Sequence, residues 1–522
     1  MPGLKGLKGL KGLKGLKGLK GEQGMYLGVD CGTQSTKVVI VDAERGTILG
    51  EGSRAHQLIE GDGGRREQSV DDWLAALRGA FADALAEAGI DARAIRAIGV
   101  SGQQHGMVAL DARGEPVYPA KLWCDTETAL HNEHLIEALG GRQGCLDKLG
   151  LLLQTGYTAS KVAWLRDTHP EAYRRIDSLL LPHDYLNFWL TGERVTECGD
   201  ASGTGYFDTR RRAWHHEAFK VVAPELDPNT MLPRLIDSSE PVGRVRAEVA
   251  RELGLSDDVL VASGGGDNMM AAIGTGNIAP GLVTMSLGTS GTVCAYAEEP
   301  VIDAQGMVAN FCASSGGWLP LVCTMNVTSA TTRVRELFGF DVATFGERVA
   351  AAPVGAEGVM VLPFFNGERV PPLPHASASF VGLTSVNTSA DNLCRAVVEG
   401  ATYGMRYGLE LLGPLADRVS EIRLVGGGAK SPVWRQIVAD VLGVEVVCPR
   451  LTEAAALGAA IQAAWCDARQ RGGGESLATL CQRLVSLDAD TRARPRSEAA
   501  TRYDERYLGY RQALAERYDV PA

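Results

Sequence analysis

Asp267 follows a short apolar run, Val259-Leu260-Val261-Ala262, and a glycine turn, Ser263-Gly264-Gly265-Gly266. The run predicts a buried strand, and the glycines predict a sharp turn through backbone conformations most residues avoid. Asp267 is expected at the N-cap of a helix over 268–273. A carboxylate on so bare a turn is open to a substrate hydroxyl and a phosphate together, the setting a general base of phosphoryl transfer requires. On this stretch alone a capping aspartate is the plainer reading.

Two other stretches suit phosphate. Asp30-Cys31-Gly32-Thr33-Gln34-Ser35-Thr36-Lys37 lies between two strand-like runs. Its glycine admits close backbone approach, Thr33 and Ser35 add hydroxyls, and Asp30 is a hard oxygen ligand suited to a hydrated Mg²⁺. About 256 residues later, Leu287-Gly288-Thr289-Ser290-Gly291 repeats the pattern between two further apolar runs. A third glycine element, Val425-Gly426-Gly427-Gly428-Ala429, ends a strand and would let a flat adenine lie against backbone. There Ser431 caps a helix with Pro432 at its first position, and Gly443 closes it. No Gly-x-x-x-x-Gly-Lys-Ser/Thr occurs, so a P-loop is not the phosphate device.

A small polar substrate needs directed polar contacts and an apolar wall. Gln104 and His105, in Ser101-Gly102-Gln103-Gln104-His105-Gly106, and Asp125 could supply the contacts, with Trp123 as the wall. Asn268 stands beside Asp267. Asp184, in Pro182-His183-Asp184-Tyr185, reads either as a further contact or as a helix cap. The pairs His131/His134 and His215-His216 lack a third ligand nearby in sequence and do not read as metal sites.

These residues need elements to hold them. Strands are expected over 26–30, 36–42, 47–53 and 95–100. Between the last two lies a helix with Asp71 or Asp72 near its cap and Trp73, Leu74, Leu77, Phe81 and Leu85 as its apolar stripe. Three meandering strands, a helix and another strand open a ribonuclease-H-like α/β fold. Two hydroxyl-rich hairpins half a chain apart point to a duplicated fold, with one hairpin per half facing a cleft. A terminal helix is expected over 499–518.

The chain has 522 residues, more than one core readily serves, and a formal charge of −11 that argues against non-specific nucleic-acid binding. Its eleven cysteines form no CxxC pair and suit free thiols in a reducing cytoplasm. No apolar run approaches the ~20 residues of a membrane span. Residues 1–24 contain Gly-Leu-Lys six times and read as an engineered or disordered tail, with Met25 the expected natural start. Residues 25–522 then carry 46 basic and 62 acidic side chains.

Taken together, the motifs resemble those of the FGGY-type sugar kinases, within the actin-like ATPase superfamily, over residues 25 to about 515. Asp30-x-Gly32-Thr33-x-Ser35-x-Lys37 is similar to the family's first phosphate motif and Leu287-Gly288-Thr289-Ser290-Gly291 to its second. Gly426-Gly427-Gly428-Ala429 is similar to its adenosine motif, and Gly264-Gly265-Gly266-Asp267-Asn268 to the segment with its catalytic aspartate. The resemblance implies two duplicated domains, a sugar-binding one over 25–279 carrying Asp267 and a nucleotide-binding one over 280–522. It also implies ATP and Mg²⁺ as cofactors, a small sugar as partner, no nucleic acid or membrane, and a homodimer as an assembly to test.

The run Gly102-Gln103-x-His105-Gly106 is similar to that of members acting on D-xylulose, whereas glycerol-phosphorylating members carry in the equivalent loop an Arg-Glu pair that this loop lacks. Gln104, often Met, and Cys124-Asp125, often Asn-Asp, depart from the familiar pattern. Those departures leave other acceptors open: ribulose, arabitol, gluconate or glycerol. A non-enzymatic actin-like ATPase module is the alternative of another class. Phe364-Phe365-Asn366-Gly367-Glu368-Arg369 is similar to a family element to which no catalytic role is assigned.

Overall fold

The structure is a computed structural model describing residues 24–520, so the Gly-Leu-Lys tail lies outside the described residues. The first sheet opens with β1 (Met25–Cys31), β2 (Ser35–Asp42) and β3 (Thr47–Ala55) as an antiparallel meander. Helix α1 (Val70–Ala88) covers it, and β4 (Ile95–Gly102) joins β1 in parallel. Ser69, rather than Asp71 or Asp72, caps α1, because its hydroxyl reaches the Asp71 N–H. Trp73, Leu74, Leu77 and Phe81 are buried as the stripe predicts, each side chain contributing about 1.5–3 kcal/mol.

After α2 (Pro182–Thr191), the sheet is completed by β5 (Pro241–Arg244), β6 (Leu260–Ala262) and the two-residue β7 (Gly265–Gly266). The order is β5-β6-β4-β1-β2-β3, with β7 also paired to β4. Helix α3 (Asp267–Gly274) leaves β7 directly.

The second sheet repeats the plan. Strands β8 (Leu282–Leu287) and β9 (Gly291–Ala295) form the second hairpin, extended by β10 (Ala309–Cys312) and β11 (Trp318–Thr324). The long helix α4 (Ala390–Glu410) precedes β12 (Glu421–Val425), which pairs in parallel with β8 as β4 does with β1. Helix α5 (Pro432–Leu442), capped by Ser431 and closed by Gly443, leads to β13 (Glu445–Pro449). Helix α6 (Ala454–Gln470), β14 (Leu487–Ala493) and α7 (Ser497–Tyr518) end the chain. The order here is β10-β11-β9-β8-β12-β13-β14. Hairpin, parallel crossover and antiparallel edge thus occur twice, although in the second sheet β11 rather than β10 lies beside β9.

One element crosses the expected division near residue 280. Helix α6 comes late in sequence but packs on β1, β4 and α3 of the first sheet. The approach is close enough to demand glycine. A Cβ at Gly28 would meet the Ala456 carbonyl at 1.9 Å, one at Gly99 the Ala459 carbonyl at 2.0 Å, and one at Gly274 the Ala454 carbonyl at 1.8 Å. Ala456, Ala459 and Ala460 are fully buried in that contact. Among the described residues no helix is long and apolar enough to cross a membrane.

Candidate active site

Both sheets contribute to one cavity of about 1010 Å³. Its wall carries Asp30, Gly32, Thr33, Ser35 and Lys37 from the first hairpin, Gly288, Thr289 and Ser290 from the second, and Asp267, Asn268, Gln104, His105 and Trp123. Residues more than 250 positions apart therefore share one space.

Asp267 is the first residue of α3, and Gly266 takes the N-cap position expected for Asp267. The side chain is thereby turned from capping toward the cavity. Of the three glycines only Gly264 has positive φ, at 70°, while Gly265 and Gly266 extend along β4. The Asp267 Oδ1 accepts the Asn268 N–H at 2.8 Å and its side-chain amide at 3.0 Å. That amide also donates to Gln104 Oε1 at 2.9 Å. Burial raises the Asp267 pKa to about 7; the Asp30 and Asp200 charges add to it and the Asn268 bonds oppose it.

Asp30 ends β1 and accepts the Ser101 hydroxyl at 2.8 Å. Its pKa rises to about 6, mainly through burial, with Ser101 and Lys37 opposing. Lys37 pairs with Glu453 at 2.5 Å, at the start of α6. Thr33 is already bound: its hydroxyl donates to Gln103 Oε1 at 3.0 Å and accepts Trp123 Nε1–H at 2.9 Å. In the second hairpin the Gly288 carbonyl accepts the Thr328 N–H and hydroxyl, both at 2.9 Å, and the Thr289 carbonyl accepts the Ser329 hydroxyl at 3.0 Å. Neighbouring side chains and backbone thus brace both hairpins.

His105 sits at φ 67° and forms an aromatic corner with Tyr157 and Phe311, at centroid distances of 4.6 and 5.6 Å. Burial keeps its imidazole neutral, with Lys161 and Arg369 acting the same way. Trp123 is 37% exposed, a fit for a wall against which an apolar sugar face could lie. The buried Gln104 Nε2 has no partner among the described residues, a donor awaiting an acceptor beside Asp267.

Two groups of predicted residues are not on the cavity wall. Asp125 is fully buried, and its carboxylate accepts Lys121 Nζ and the Arg66 N–H, both at 2.8 Å, and the Glu127 N–H at 3.1 Å. Lys121 also bonds Glu67 and Glu127, so an ammonium fills the centre of that carboxylate cluster. In the third glycine element Val425 and Gly426 line the cavity, whereas Gly427, Gly428 and Ala429 do not. A Cβ on Gly428 would press on the Trp434 ring at 3.0 Å, so that glycine serves packing. Asp184 caps α2 through the Leu181 N–H at 2.9 Å and lies beneath the site rather than in it.

Sequence reasoning missed several supports. His183 Nδ1 lies 2.6 Å from Asp200 Oδ2 under the glycine turn. Burial works against its charge, but Asp184 and Asp200 raise its pKa to about 9. Gln462, on α6, bonds both main-chain groups of Gly264. A signal existed for it: Gln462 is the sole polar side chain between Ala454 and Cys466, and a buried polar group must find partners.

The sequence matches the N-terminal domain of the FGGY family of carbohydrate kinases over residues 25–274 and the C-terminal domain over 283–466. It is 49% identical to a xylulose kinase of Haemophilus influenzae over 498 residues, covering 95% of this chain and 100% of the relative. It is 42% identical to a xylulose kinase of Streptomyces coelicolor over 444 residues, covering 85% and 88%. The crystal structure of xylulose kinase from Bifidobacterium adolescentis superposes with a TM-score of 0.80 at 32% identity, over 93% of this chain and 99% of that one. Duplicated sheets, a shared cavity and full-length relatives agree: the chain belongs to the FGGY family of carbohydrate kinases, with their actin-like ATPase fold.

Proposed function

We propose that the chain transfers the γ-phosphoryl group of ATP to the O5 hydroxyl of D-xylulose, with Asp267 as general base. The observation that carries this reading is one recessed carboxylate, of pKa about 7, in the cavity that also holds both hydroxyl-rich hairpins. A base poised near neutrality accepts the O5 proton as the oxygen–phosphorus bond forms and the bond to ADP breaks. Asn268 fixes the carboxylate's orientation, and the free Gln104 amide next to it offers a donor to a sugar oxygen. His105 and Trp123 bound the sugar end.

The hairpins would hold the triphosphate from both sides, Gly32 to Ser35 from one sheet and Gly288 to Ser290 from the other. Gly426 leads from the cavity to the exposed Gly427, where the adenosine end fits. Asp30 would hold Mg²⁺ through water, and the ion would supply charge neutralisation between the β- and γ-phosphates. Asp125 enters this reading only as a buried brace for the loop that bears Trp123. Relatives named xylulose kinase at 49% and 42% identity support D-xylulose as acceptor. Eleven free cysteines suit the cytoplasm, and a homodimer is the assembly to test by sedimentation.

The test is ADP release from purified protein over a panel of D-xylulose, ribulose, arabitol, gluconate and glycerol. D-Xylulose should give the highest kcat/KM, and absence of any sugar-stimulated release would leave only a bare ATPase. Asp267→Asn should lower kcat by ~10² or more with ATP affinity kept within about threefold.

A further inference from the structure

Gln462 reaches the catalytic turn from the other half of the chain. It is fully buried on α6. Its carbonyl oxygen accepts the Gly264 N–H at 2.9 Å, and its NH₂ donates to the Gly264 carbonyl at 3.1 Å. One side chain thus satisfies both main-chain groups of the residue whose φ is 70°, three positions before Asp267. The rest of the turn is held by the pairing of Gly265 and Gly266 with β4 and by two side chains. Asn187 Nδ2 donates to the Ser263 carbonyl at 2.8 Å, and the Ser263 hydroxyl donates to the Ser238 carbonyl at 3.0 Å.

Among the described residues Asp267 bonds only its neighbour Asn268, through Oδ1. The place of the carboxylate therefore follows from the place of the turn. Helix α6 is a firm base for the contact, because Gly28, Gly99, Gly274 and Gly458 bring it against β1, β4 and α3 at backbone distance. The same helix starts at the cavity, where Thr452, Glu453 and Ala454 form part of the wall.

We propose that Gln462 is a positioning residue for the phosphoryl transfer: by gripping both polar groups of Gly264 it sets where the Asp267 carboxylate meets the sugar hydroxyl. This rests on the reading of Asp267 as the base. Removing the grip leaves the buried Gly264 N–H unpaired and its carbonyl with the longer Ser263 hydroxyl contact at 3.2 Å, on a glycine that then has other conformations open to it. Substrate sites on the hairpins and at His105 do not depend on that grip.

Two variants of the full chain test it beside Asp267→Asn. Gln462→Met keeps the length and removes both hydrogen bonds. Its kcat should fall ~30-fold while KM for D-xylulose and for ATP stay within about threefold. Gln462→Glu keeps the shape, and as a neutral acid it can still donate to the Gly264 carbonyl. Around that position lie His183 with Asp184 and Asp200 beneath the turn, Glu197 beside Gly265, Asp267 beyond it, and Arg96 with Asp467 further along α6.

The Gln462→Glu to wild-type ratio of kcat should be near one at pH 6 and fall about tenfold or more by pH 8.5, as the new carboxyl ionises. A ratio that stays near one across that range, or a Gln462→Met kcat within threefold of wild type, would overturn the proposal. Should Gln462→Met fail to fold, the pH ratio of Gln462→Glu decides alone. Wild-type turnover in Asp267→Asn would instead remove the base assignment, and this proposal with it.

Discussion

The two hairpins occupy the same place in the two sheets, and the register pair that begins two residues before the glycine differs in charge. In the first, Asp30 faces Lys37 across the strands; in the second, Ser286 faces Thr292. All four line the cavity. The strand beside each differs in the same sense: β4 sets Ser101 against Asp30, where its hydroxyl donates, while β12 sets the apolar Val425 against Ser286. Duplication kept the backbone cradle in both halves and charged only one. The neutral hairpin can only donate to phosphate, whereas the charged one can also order a cation and tune the acid nearby.

The largest break in this comparison is Asp30→Ser, which gives the first hairpin the second's residue. If the charge does the work, kcat should fall ~10²-fold or more and the Mg²⁺ concentration for half-maximal rate should rise, as read by ADP release across a Mg²⁺ titration. A fall of less than fivefold would make the two hairpins equivalent.

The next effect is on pH. With Asp267 as the proposed base, its ionised form would be the active one, and burial with the Asp30 and Asp200 charges places its pKa at about 7. Activity should therefore be lost as pH falls through about 7, approaching tenfold per unit well below it. Asp30→Asn should move that limb to lower pH, because a like charge that raises the Asp267 pKa is removed.

The smallest effects are expected from the partners. Ser286→Ala should change kcat by no more than about fivefold, because its position carries no charge. Lys37→Thr loses a half-exposed pair with Glu453, worth about 0–1 kcal/mol by chemical denaturation. A larger loss from Ser286→Ala than from Asp30→Ser would reverse the comparison.

Local patterns settled much of this protein. Apolar runs and glycine placement marked the paired hairpins, and a 3.6-residue stripe marked α1. Repetition half a chain apart was enough to indicate two sheets around a cleft, because hydrogen-bond pattern and side-chain period are properties of neighbouring residues. The sequence also singled out Asp267, Gln104, His105 and Trp123, all of which face the cavity.

What depends on packing was not legible there. Asp125 looked available until Lys121 and the Arg66 N–H took its oxygens from 4 and 59 residues away. At Gly428 the sequence did not show the close approach of Leu287 and the Trp434 ring. The pairing of Gln462 with Gly264 spans 198 residues, and which distant backbone a buried polar side chain satisfies is decided only when helix α6 settles on the first sheet. Desolvation is likewise a property of the assembled cavity, so the raised pKa of Asp267 belongs to the fold and not to the order of its residues.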